Sequence, residues 1–537
     1  MVKRESIMRR RAFLLAAAAG AGAAVVAACA PAAAPTATTA PKAAEPAKPA
    51  EAPKPAEAAK PTEVPKPAAA SPAAPAKPTE APAQATPLMA APTVVTKPQS
   101  ELPGPEKARI DWKQFKGTSI KWIGGLHPIS ETLIKMAPEF EELTGIKVTV
   151  EQIAWETFMQ KFQLDLSSKD PQYDTAMSYF ALDWKHGSAG LLADLDPMIN
   201  DPKLTDKEWL DMQDISPGLL ASARWDGVPG HRIGTGKIYS VPYIVETYIL
   251  GYRADLFDKY NLKVPKTVEE VVPAAKAIAE GEKANGTAGF AVRGDLGQAP
   301  ITAVWMSLLP NYGGGDFDDK MNSRVAEDAN VQFSDLLINK IIKPYGPPGW
   351  TGLTWDDLRK KFANGDFGMV YDCDFFSLLY EDPKESKVAG KLKYANLGGP
   401  QGMQSSTFYF GNQINKNSKN QGAAWLFHEW LISKRVMRDF TVKYRNLIPT
   451  RLSTWADPDV QKMVGGWGGG SWLEATRANL EKYAKLALTP NSELPAVCDK
   501  WMGANQKIYS GAAVKPTLME AEKEINGIMD KAGIRKK

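Results

Sequence analysis

Hydrophobic positions follow two alternating periods through much of this chain, one typical of strands and one typical of helices. Apolar residues recur at every second position in 146–150, which predicts a strand, and at every third or fourth position in 129–143, which predicts an amphipathic helix. The same patterns predict strands at 119–123 and 173–178 and a second helix at 158–166. This alternation predicts an α/β fold with a parallel sheet, and ligands of such sheets bind at the carboxyl ends of the strands.

The patterns continue toward the carboxyl end of the chain. They predict helices at 268–280, 358–362, 421–432 and 510–532, and strands at 238–242, 247–252 and 367–371. The polar residue Glu246 interrupts the apolar run between two of these strands, so we expect it at a break in the sheet.

Residues 31–100 show no such pattern. They contain 17 of the 41 prolines and 24 alanines, and they have no aromatic residue. Such a segment cannot bury enough apolar surface to offset its ordering entropy, so residues 29–108 are predicted to be a disordered tether. The first 100 residues carry a formal charge of +6, and the remaining body carries −2, which together give the net +4. A near-neutral body offers no basic surface for nucleic acid.

Residues 1–28 have the features of an export signal, a basic start followed by an alanine-rich apolar run. The pair Arg10 and Arg11 resembles a twin-arginine export motif. The end of the run, VAAC at 26–29, resembles a bacterial lipobox, which predicts that Cys29 carries a lipid and anchors the protein to a membrane. A plain signal peptide or a retained membrane helix are the alternatives, although the run is short for a helix that spans a bilayer.

Eight segments of the body stand out in the order FEELTGIKVTV (140–150), KIYSVPYIVETYILGYRADLF (237–257), PKTVEEVVPAAKAIA (265–279), FANGDFGMVY (362–371), LGGPQGMQSSTFYFGN (397–412), AAWLFHEWLIS (423–433), NLIPTR (446–451) and the C-terminal helix (510–532). Together and in this order they resemble the extracellular solute-binding proteins of ABC importers, family 1, the maltose-binding-protein type. The Gly- and Trp-rich stretch 465–472 has no counterpart that we can assign in that family.

The resemblance implies a two-lobed, periplasmic-binding-protein-like fold (class II type), in which hinge segments join the lobes beside a ligand cleft. Segment order places one lobe at 109–245 plus 405–455 and the other at 246–404 plus 456–537. It also implies a monomer that closes on a carbohydrate and delivers it to the permease subunits of an ABC transporter, with no cofactor.

Aromatic residues near predicted strand ends are candidates for stacking on the C–H faces of a sugar. They are Trp155, Tyr179, Trp184, Tyr243, Phe408 and Trp467. Each of them is equally a candidate for packing in the core. Tyr243, for example, either stacks on a ligand or packs the hinge.

Carboxylates are the candidates for hydrogen bonds to hydroxyl groups. Glu246 matches, by its place in the motif, a hinge carboxylate that contacts sugar in the maltose-binding relatives, and a hinge ion pair is the alternative. Asp295 follows a strand-like stretch together with Gln298, and Asp372 and Asp374 follow another strand. Paired carboxylates also occur in glycosidases, so a surface-anchored carbohydrate-active enzyme is a second hypothesis.

The remaining chemistry is sparse. Cys373 and Cys498 form either a disulfide or two buried free thiols. The four histidines are scattered, and no P-loop, zinc-protease or nucleophile-elbow motif is present, so we expect no metal and a binding protein instead of an enzyme. A polyamine, a glycerol phosphoester or an organic acid in the same fold is the third hypothesis.

Overall fold

The computed structural model describes residues 102–446 and 448–536, and for Glu156 only the backbone. The predicted export signal, the twin-arginine pair and the lipid-carrying Cys29 lie outside these residues. Within them the structure contains no helix of the length and apolarity needed to cross a bilayer.

The body begins earlier than the predicted tether boundary at residue 108. A 3₁₀ turn at Pro105–Lys107 packs on the body, because the indole of Trp112 donates a hydrogen bond to the carbonyl of Pro105 at 2.8 Å. The indole of Trp209 donates to the carbonyl of Gly104 at 2.9 Å. Residues 104–108, predicted as the end of the tether, thus contact the body through one nearby tryptophan and one that is 105 residues away.

Most strands join one mixed sheet with the order β2–β1–β3–β9–β6–β7, in which β8 pairs with β6 and β10 pairs with β9. The strands are β1 Ser119–Gly125, β2 Lys147–Ile153, β3 Thr175–Ser178, β4 Arg224–Trp225, β5 Lys237–Ile238, β6 Ile244–Arg253, β7 Met369–Cys373, β8 Leu392–Ala395, β9 Ser405–Ile414 and β10 Ala484–Lys485. β1 runs parallel to both β2 and β3, as the alternating pattern predicted.

Helices cover the sheet. Those of eight or more residues are α1 Pro128–Thr144, α2 Trp155–Leu166, α3 Phe180–Ser188, α4 Val268–Gly281, α5 Trp355–Asn364, α6 Gln421–Ile432, α7 Lys434–Val442, α8 Ser471–Ala478, α9 Leu494–Tyr509 and α10 Val514–Lys531. Shorter α-helical turns lie at Asp196–Asn200, Lys207–Leu210, Pro217–Ser222, Ala254–Lys259, Gln298–Pro300, Met306–Leu308, Asp328–Ser334, Lys343–Tyr345, Ser377–Tyr380, Leu452–Trp455 and Pro458–Val464. Three segments are π-helical, namely Ile301–Trp305, Asp335–Ile342 and Asn479–Tyr483.

Local chemistry fixes both ends of α1. The side chain of His127 accepts a hydrogen bond from the backbone N–H of Ile129, and Pro128 occupies the first helical position. Gly145 ends the helix with a φ of 70°, a left-handed conformation that favours glycine. The helix therefore starts directly after β1, and this places His127 at the carboxyl end of that strand.

Two long strands connect the two sides of the sheet. The first half of β6 pairs with β9, and its second half pairs with β7 and β8. The second half of β9 pairs with β3. β6 and β9 therefore run across the region where the hinge segments are expected. The predicted lobe boundary at 245/246 falls inside β6 and the one at 404/405 falls at the start of β9, and the lobe limits themselves stay a prediction.

Glu246 does not lie at a break in the sheet, as its polarity had suggested, but inside the continuous strand β6. A neighbouring polar residue shows why the strand continues. Thr247 donates from its N–H to Oδ1 of Asp374 at 3.1 Å and from its hydroxyl to Oδ2 at 2.6 Å. Buried polar groups are tolerated in a strand when they have such partners.

The two cysteines are free and buried, so the suggested disulfide between Cys373 and Cys498 is wrong. Cys373 ends β7, where its sulfur accepts a hydrogen bond from the N–H of Phe375 at 3.3 Å. Cys498 lies in α9 among core residues. A disulfide requires an oxidising compartment and two Cα atoms that lie close together. The predicted export signal indicates the compartment, but the sequence does not give the distance between the Cα atoms.

The core contains one carboxyl group in an unfavourable position. Glu429 on α6 is fully buried, and neither of its carboxyl oxygens has a hydrogen-bond partner among the described residues. Burial raises the pKa of Glu429 from 4.5 to about 9, and the charge of Asp206 adds to this effect. The folded protein therefore keeps a proton on Glu429 at neutral pH.

The variant Glu429→Gln is expected to be less sensitive to alkaline pH than the wild type. Because the unfolded chain loses this proton near pH 4.5 and the folded chain keeps it up to about pH 9, this group makes stability fall as pH rises through that range. Urea unfolding at pH 5.5, 7 and 9 checks the expectation that the variant gains most over the wild type at pH 9.

The matched control for this comparison is Glu280→Gln, because Glu280 is an exposed glutamate on α4. We expect its unfolding free energy to follow the wild type at all three pH values. An unchanged difference between wild type and Glu429→Gln from pH 5.5 to pH 9 would contradict the assignment of the proton to Glu429.

Candidate functional site

A cavity of about 630 Å³ opens at the carboxyl ends of β1, β2, β3 and β7, where the parallel strands predicted a ligand. Its volume lies in the range of small-molecule sites in proteins, roughly 300–1,000 Å³. Both predicted lobes contribute to it. The lining residues are His127, Trp155, Met159, Gln160, Tyr179, Glu246, Arg293, Asp295, Leu296, Gly297, Gln298, Ala299, Thr354, Trp355, Phe376, Phe408, Phe410, Pro495 and Asp499.

One wall of the cavity is a stack of three rings. Trp155, the first residue of α2, stacks on Tyr179 with ring centroids 6.1 Å apart and planes 24° apart. Tyr179 in turn packs on Phe408 of β9 at 4.9 Å. The last residue of β1 makes room for this wall, since a Cβ on Gly125 would lie 2.2 Å from Cε3 of Trp155. The wall offers flat apolar surface to a ligand.

A second group of rings lines the cavity beside the first, since the rings of Phe408 and Phe410 lie 5.0 Å apart. Trp355 at the start of α5 stacks on Phe376, with ring centroids 5.8 Å apart and planes 16° apart. The imidazole of His127 lies 5.5 Å from the ring of Trp355 and 5.1 Å from that of Phe410. The cavity lining therefore contains two connected groups of aromatic rings.

His127 is neutral in this environment and can act as a donor. Burial lowers the pKa of His127 to about 3, and the nearby Arg359 and Arg293 charges lower it further. Its Nδ1 accepts the hydrogen bond from Ile129, so a neutral ring must carry its proton on Nε2. Nε2 is thus the ring atom that can donate to a ligand.

Glu246 adds a carboxyl group to the cavity lining. In the register of β6 and β9 it lies directly opposite Phe408, so both side chains emerge on the same face of the sheet. Burial raises the pKa of Glu246 to about 7, while the Arg293 guanidinium and a hydrogen bond with Cys373 oppose this shift. Glu246 therefore exchanges a proton near neutral pH.

Arg293 supplies the cation of the cavity and is held by Asp372. Nε of Arg293 donates to both carboxylate oxygens of Asp372, at 3.0 and 2.9 Å, and Nη2 donates to Oδ1 at 2.5 Å. The guanidinium also lies over the rings of Tyr248 and Phe376, at 5.9 and 5.6 Å from their centroids. These contacts fix its plane and leave Nη1 for other acceptors.

Five more polar side chains line the cavity, namely Gln160, Asp295, Gln298, Thr354 and Asp499. Gln298 begins a helical segment after Gly297, whose φ of 108° lies in the region that favours glycine. Asp295 and Asp499 add carboxyl groups, and burial raises the pKa of Asp499 above its usual range. The site therefore combines several hydrogen-bonding groups of both kinds with two aromatic surfaces.

Five of the residues selected from sequence line the cavity, namely Trp155, Tyr179, Glu246, Asp295 and Phe408, and so does Gln298. Among the aromatic candidates, three lie elsewhere. Trp184 packs in the core against Phe180 and Trp225. Tyr243 packs on Phe440 in the hinge region. Trp467 packs on Trp472 at 5.0 Å and borders a separate, smaller depression.

Asp372 and Asp374 lie behind the cavity instead of lining it. Asp372 binds Arg293, and Asp374 accepts the two hydrogen bonds from Thr247. Burial raises the pKa of Asp374 to about 8. Both carboxylates were expected to bind ligand hydroxyls. Each binds a residue of another segment of the protein instead.

Sequence reasoning missed His127, Arg293, Trp355, Phe376 and Phe410. Phe410 could have been found, because it lies two positions from Phe408 in one strand and must share its face. His127 also carried a signal, since it lies between a strand end and a helix start. Arg293 carried none, because its partner Asp372 is 79 residues away.

No group of histidine, cysteine, aspartate and glutamate side chains in residues 102–446 and 448–536 is arranged to hold a metal ion. The chemistry that the cavity offers is stacking, hydrogen bonding and charge.

The model of the family described as bacterial extracellular solute-binding protein matches residues 124–438, more than half of the chain. The chain belongs to this family. This solute-binding protein is 28% identical to the erythritol/L-threitol-binding protein of Mycolicibacterium smegmatis over 410 residues, which cover 75% of this chain and 84% of the relative. As a family member it is an extracytoplasmic binding protein.

Solved structures of similar proteins match the same fold. A solute-binding protein of Agrobacterium radiobacter K84 in complex with ribitol has a TM-score of 0.68 and 25% identity, covering 77% of this chain and 99% of its own. One from Agrobacterium vitis S4 with bound D-mannitol has a TM-score of 0.66 and 22% identity, covering 78% and 99%. The solute-binding protein thus has the mixed α/β, two-lobed fold that the resemblance implied.

Proposed function

We propose that this solute-binding protein captures a small polyol or sugar in the cavity and delivers it to the permease of an ABC importer. The observation that carries the proposal is the combination of two groups of aromatic rings with the charged side chains Glu246 and Arg293 in one cavity lining. Carbohydrates and their reduced forms present C–H surfaces that pack on rings and hydroxyl groups that bind carboxylates and guanidinium groups.

The relatives support this ligand class. The similar proteins described above bind erythritol or L-threitol, ribitol and D-mannitol, which are all acyclic polyols. An acyclic polyol has a hydroxyl group on each carbon, so it needs donors and acceptors along its whole length. Glu246, Arg293, Gln298 and the Nε2 of His127 would supply them in this cavity.

The proposal includes a lipid anchor at Cys29 and a tether that holds the body away from the membrane. Its support is the VAAC sequence at 26–29 and the proline-rich composition of the residues that follow. At ~3.1 Å per residue an extended chain of this composition spans up to about 200 Å. The protein would act as a monomer, reaching the permease from its anchored position.

Enzymatic activity is the weaker alternative. The paired carboxylates Asp372 and Asp374, which suggested an enzyme, are engaged within the protein. We therefore propose binding without turnover, with no cofactor. Incubating the purified protein with oligosaccharides tests this point, and release of smaller sugars would contradict it.

A thermal-unfolding screen tests the ligand class. We expect erythritol, ribitol or D-mannitol to raise the melting temperature, because a ligand at 100 times its Kd stabilises a protein by about 2.7 kcal/mol. Maltose, spermidine and glycerol 3-phosphate are the comparison ligands, and titration calorimetry then gives the affinities.

The variant Trp155→Ala is the control for the site, because it removes the most accessible ring of the first wall without cutting a hydrogen bond of the fold. Its response to the polyols is expected to fall. A response to spermidine alone would contradict the proposal and favour a cation, which the three carboxyl groups in the cavity could also accept.

A further inference from the structure

Gln298 differs from the other polar residues of the cavity in its hydrogen bonding. It is only 8% exposed, and both Oε1 and Nε2 are buried without a hydrogen-bond partner among the described residues. Two other polar side chains of the lining are engaged, since Arg293 binds Asp372 and His127 accepts from Ile129. A buried amide with both ends unpaired is rare in folded proteins, where more than 90% of buried polar groups are paired.

The backbone holds this amide at the cavity. Gly297 turns the chain with a φ of 108° and a ψ of −171°, a conformation that side chains disfavour, and Gln298 then begins the helical segment that continues into Ile301–Trp305. No side-chain cap forms at this helix start. Gln298 therefore belongs to the cavity lining, and its buried amide has no hydrogen-bond partner among the described residues.

The two ends of an amide form a donor and an acceptor side by side. Adjacent hydroxyl groups present the same two functions, because each hydroxyl can both donate and accept. A carboxylate can only accept and an ammonium group can only donate, so neither satisfies both ends of Gln298. The unpaired amide thus fits a ligand that carries neighbouring hydroxyl groups.

We propose that Gln298 recognises a pair of adjacent hydroxyl groups on the bound polyol and selects against analogues that lack one of them. This role rests on the proposed function of the cavity. A site built to bind a hydroxyl group strongly rejects the analogue without it, because its own polar groups then stay unpaired. Gln298 is in this sense a specificity-determining residue.

The test uses the variant Gln298→Met, which keeps the length of the side chain and removes both hydrogen-bonding functions. Calorimetry measures its affinity for whichever of erythritol, ribitol and D-mannitol the wild type binds most tightly, and for the monodeoxy analogues of that polyol. We expect the variant to bind the parent polyol about 10- to 100-fold more weakly. Some monodeoxy analogues should bind the wild type more weakly than the parent polyol does. The variant should bind those same analogues nearly as tightly as it binds the parent polyol.

Unliganded stability separates this role from simple packing. Because the wild type buries an unpaired amide, Gln298→Met without ligand should melt at the wild-type temperature or above it. Gln298→Leu serves as a second variant with the same expectation. The matched control is Gln332→Met, on an exposed position of the helical turn Asp328–Ser334, which should change neither affinity nor melting temperature.

The proposal is overturned if Gln298→Met binds the parent polyol as tightly as the wild type does. It is also overturned if the variant discriminates between the parent polyol and every deoxy analogue as strongly as the wild type does. Equal weakening for all ligands together with a lower melting temperature would also overturn it and assign Gln298 a packing role. A wild type that binds none of the polyols contradicts the proposed function itself, and this result appears before any variant is made.

Discussion

Replacing Asp372 by alanine is expected to lower the free energy of unfolding by about 3–5 kcal/mol, because it leaves a buried guanidinium without its counter-ion. The side chains of Arg293 and Asp372 are only 6% and 1% exposed, and their contacts use three hydrogen bonds. The same substitution should also weaken polyol binding, since Asp372 orients Arg293 in the cavity. Urea unfolding measures the first effect and calorimetry the second.

Two further variants show whether burial of the charge is the cause. Asp170→Ala breaks the pair with Lys419, whose side chains are 83% and 79% exposed, and its unfolding free energy should stay close to that of the wild type. The double variant Arg293→Met with Asp372→Leu removes both charges, and its stability should recover much of the loss. A loss in Asp372→Ala as small as that in Asp170→Ala would contradict the importance of the pair.

Replacing Glu246 by alanine is expected to weaken polyol binding about 10- to 150-fold, because a hydrogen bond to a charged group contributes about 1.5–3 kcal/mol. Binding should also depend on pH. Since the pKa of Glu246 lies at about 7, ligand hydroxyls that donate to the ionised carboxylate favour proton release. The affinity of the wild type should therefore rise between pH 5.5 and pH 8.5, as calorimetry at several pH values can measure.

The variant Glu246→Gln isolates this titration, because it keeps the size of the side chain and removes its charge. We expect its affinity to stay nearly constant over the same pH range. Other groups facing Glu246 are Arg293, Asp372, Asp374 and Cys373, and all of them remain in this variant. An identical pH profile in wild type and Glu246→Gln would assign the titration to another group.

The regular elements of the body were largely readable from sequence. The predicted helix at 129–143 is Pro128–Thr144, and the predicted strand at 146–150 is Lys147–Ile153. Such elements are set by neighbours in the chain, through the period of apolar positions and through end signals such as Gly145. Glu246 was predicted to separate two strands because it interrupts an apolar run. It lies instead inside the single strand β6, and it lines the cavity.

The candidate site was only partly readable. Trp155 and Tyr179 follow strands and could be placed at the carboxyl edge of the sheet from the βαβ order alone. Asp372 was an equally suitable candidate for ligand contact from its position after a strand. In the structure it binds Arg293, which lies 79 residues away in the chain. Trp184 likewise follows β3, and its place in the core depends on Trp225.

The sequence by itself determined the α/β class, the family, the edge of the sheet at which the cavity opens, and the candidate anchor at Cys29. These depend on periodic patterns and on motifs that are local in the chain. Only the tertiary structure decided which polar groups face the cavity and which are paired behind it, as Arg293, Asp372 and Gln298 illustrate. The physical reason is that pairing and burial depend on contacts between distant segments, and the side chain alone does not carry that information.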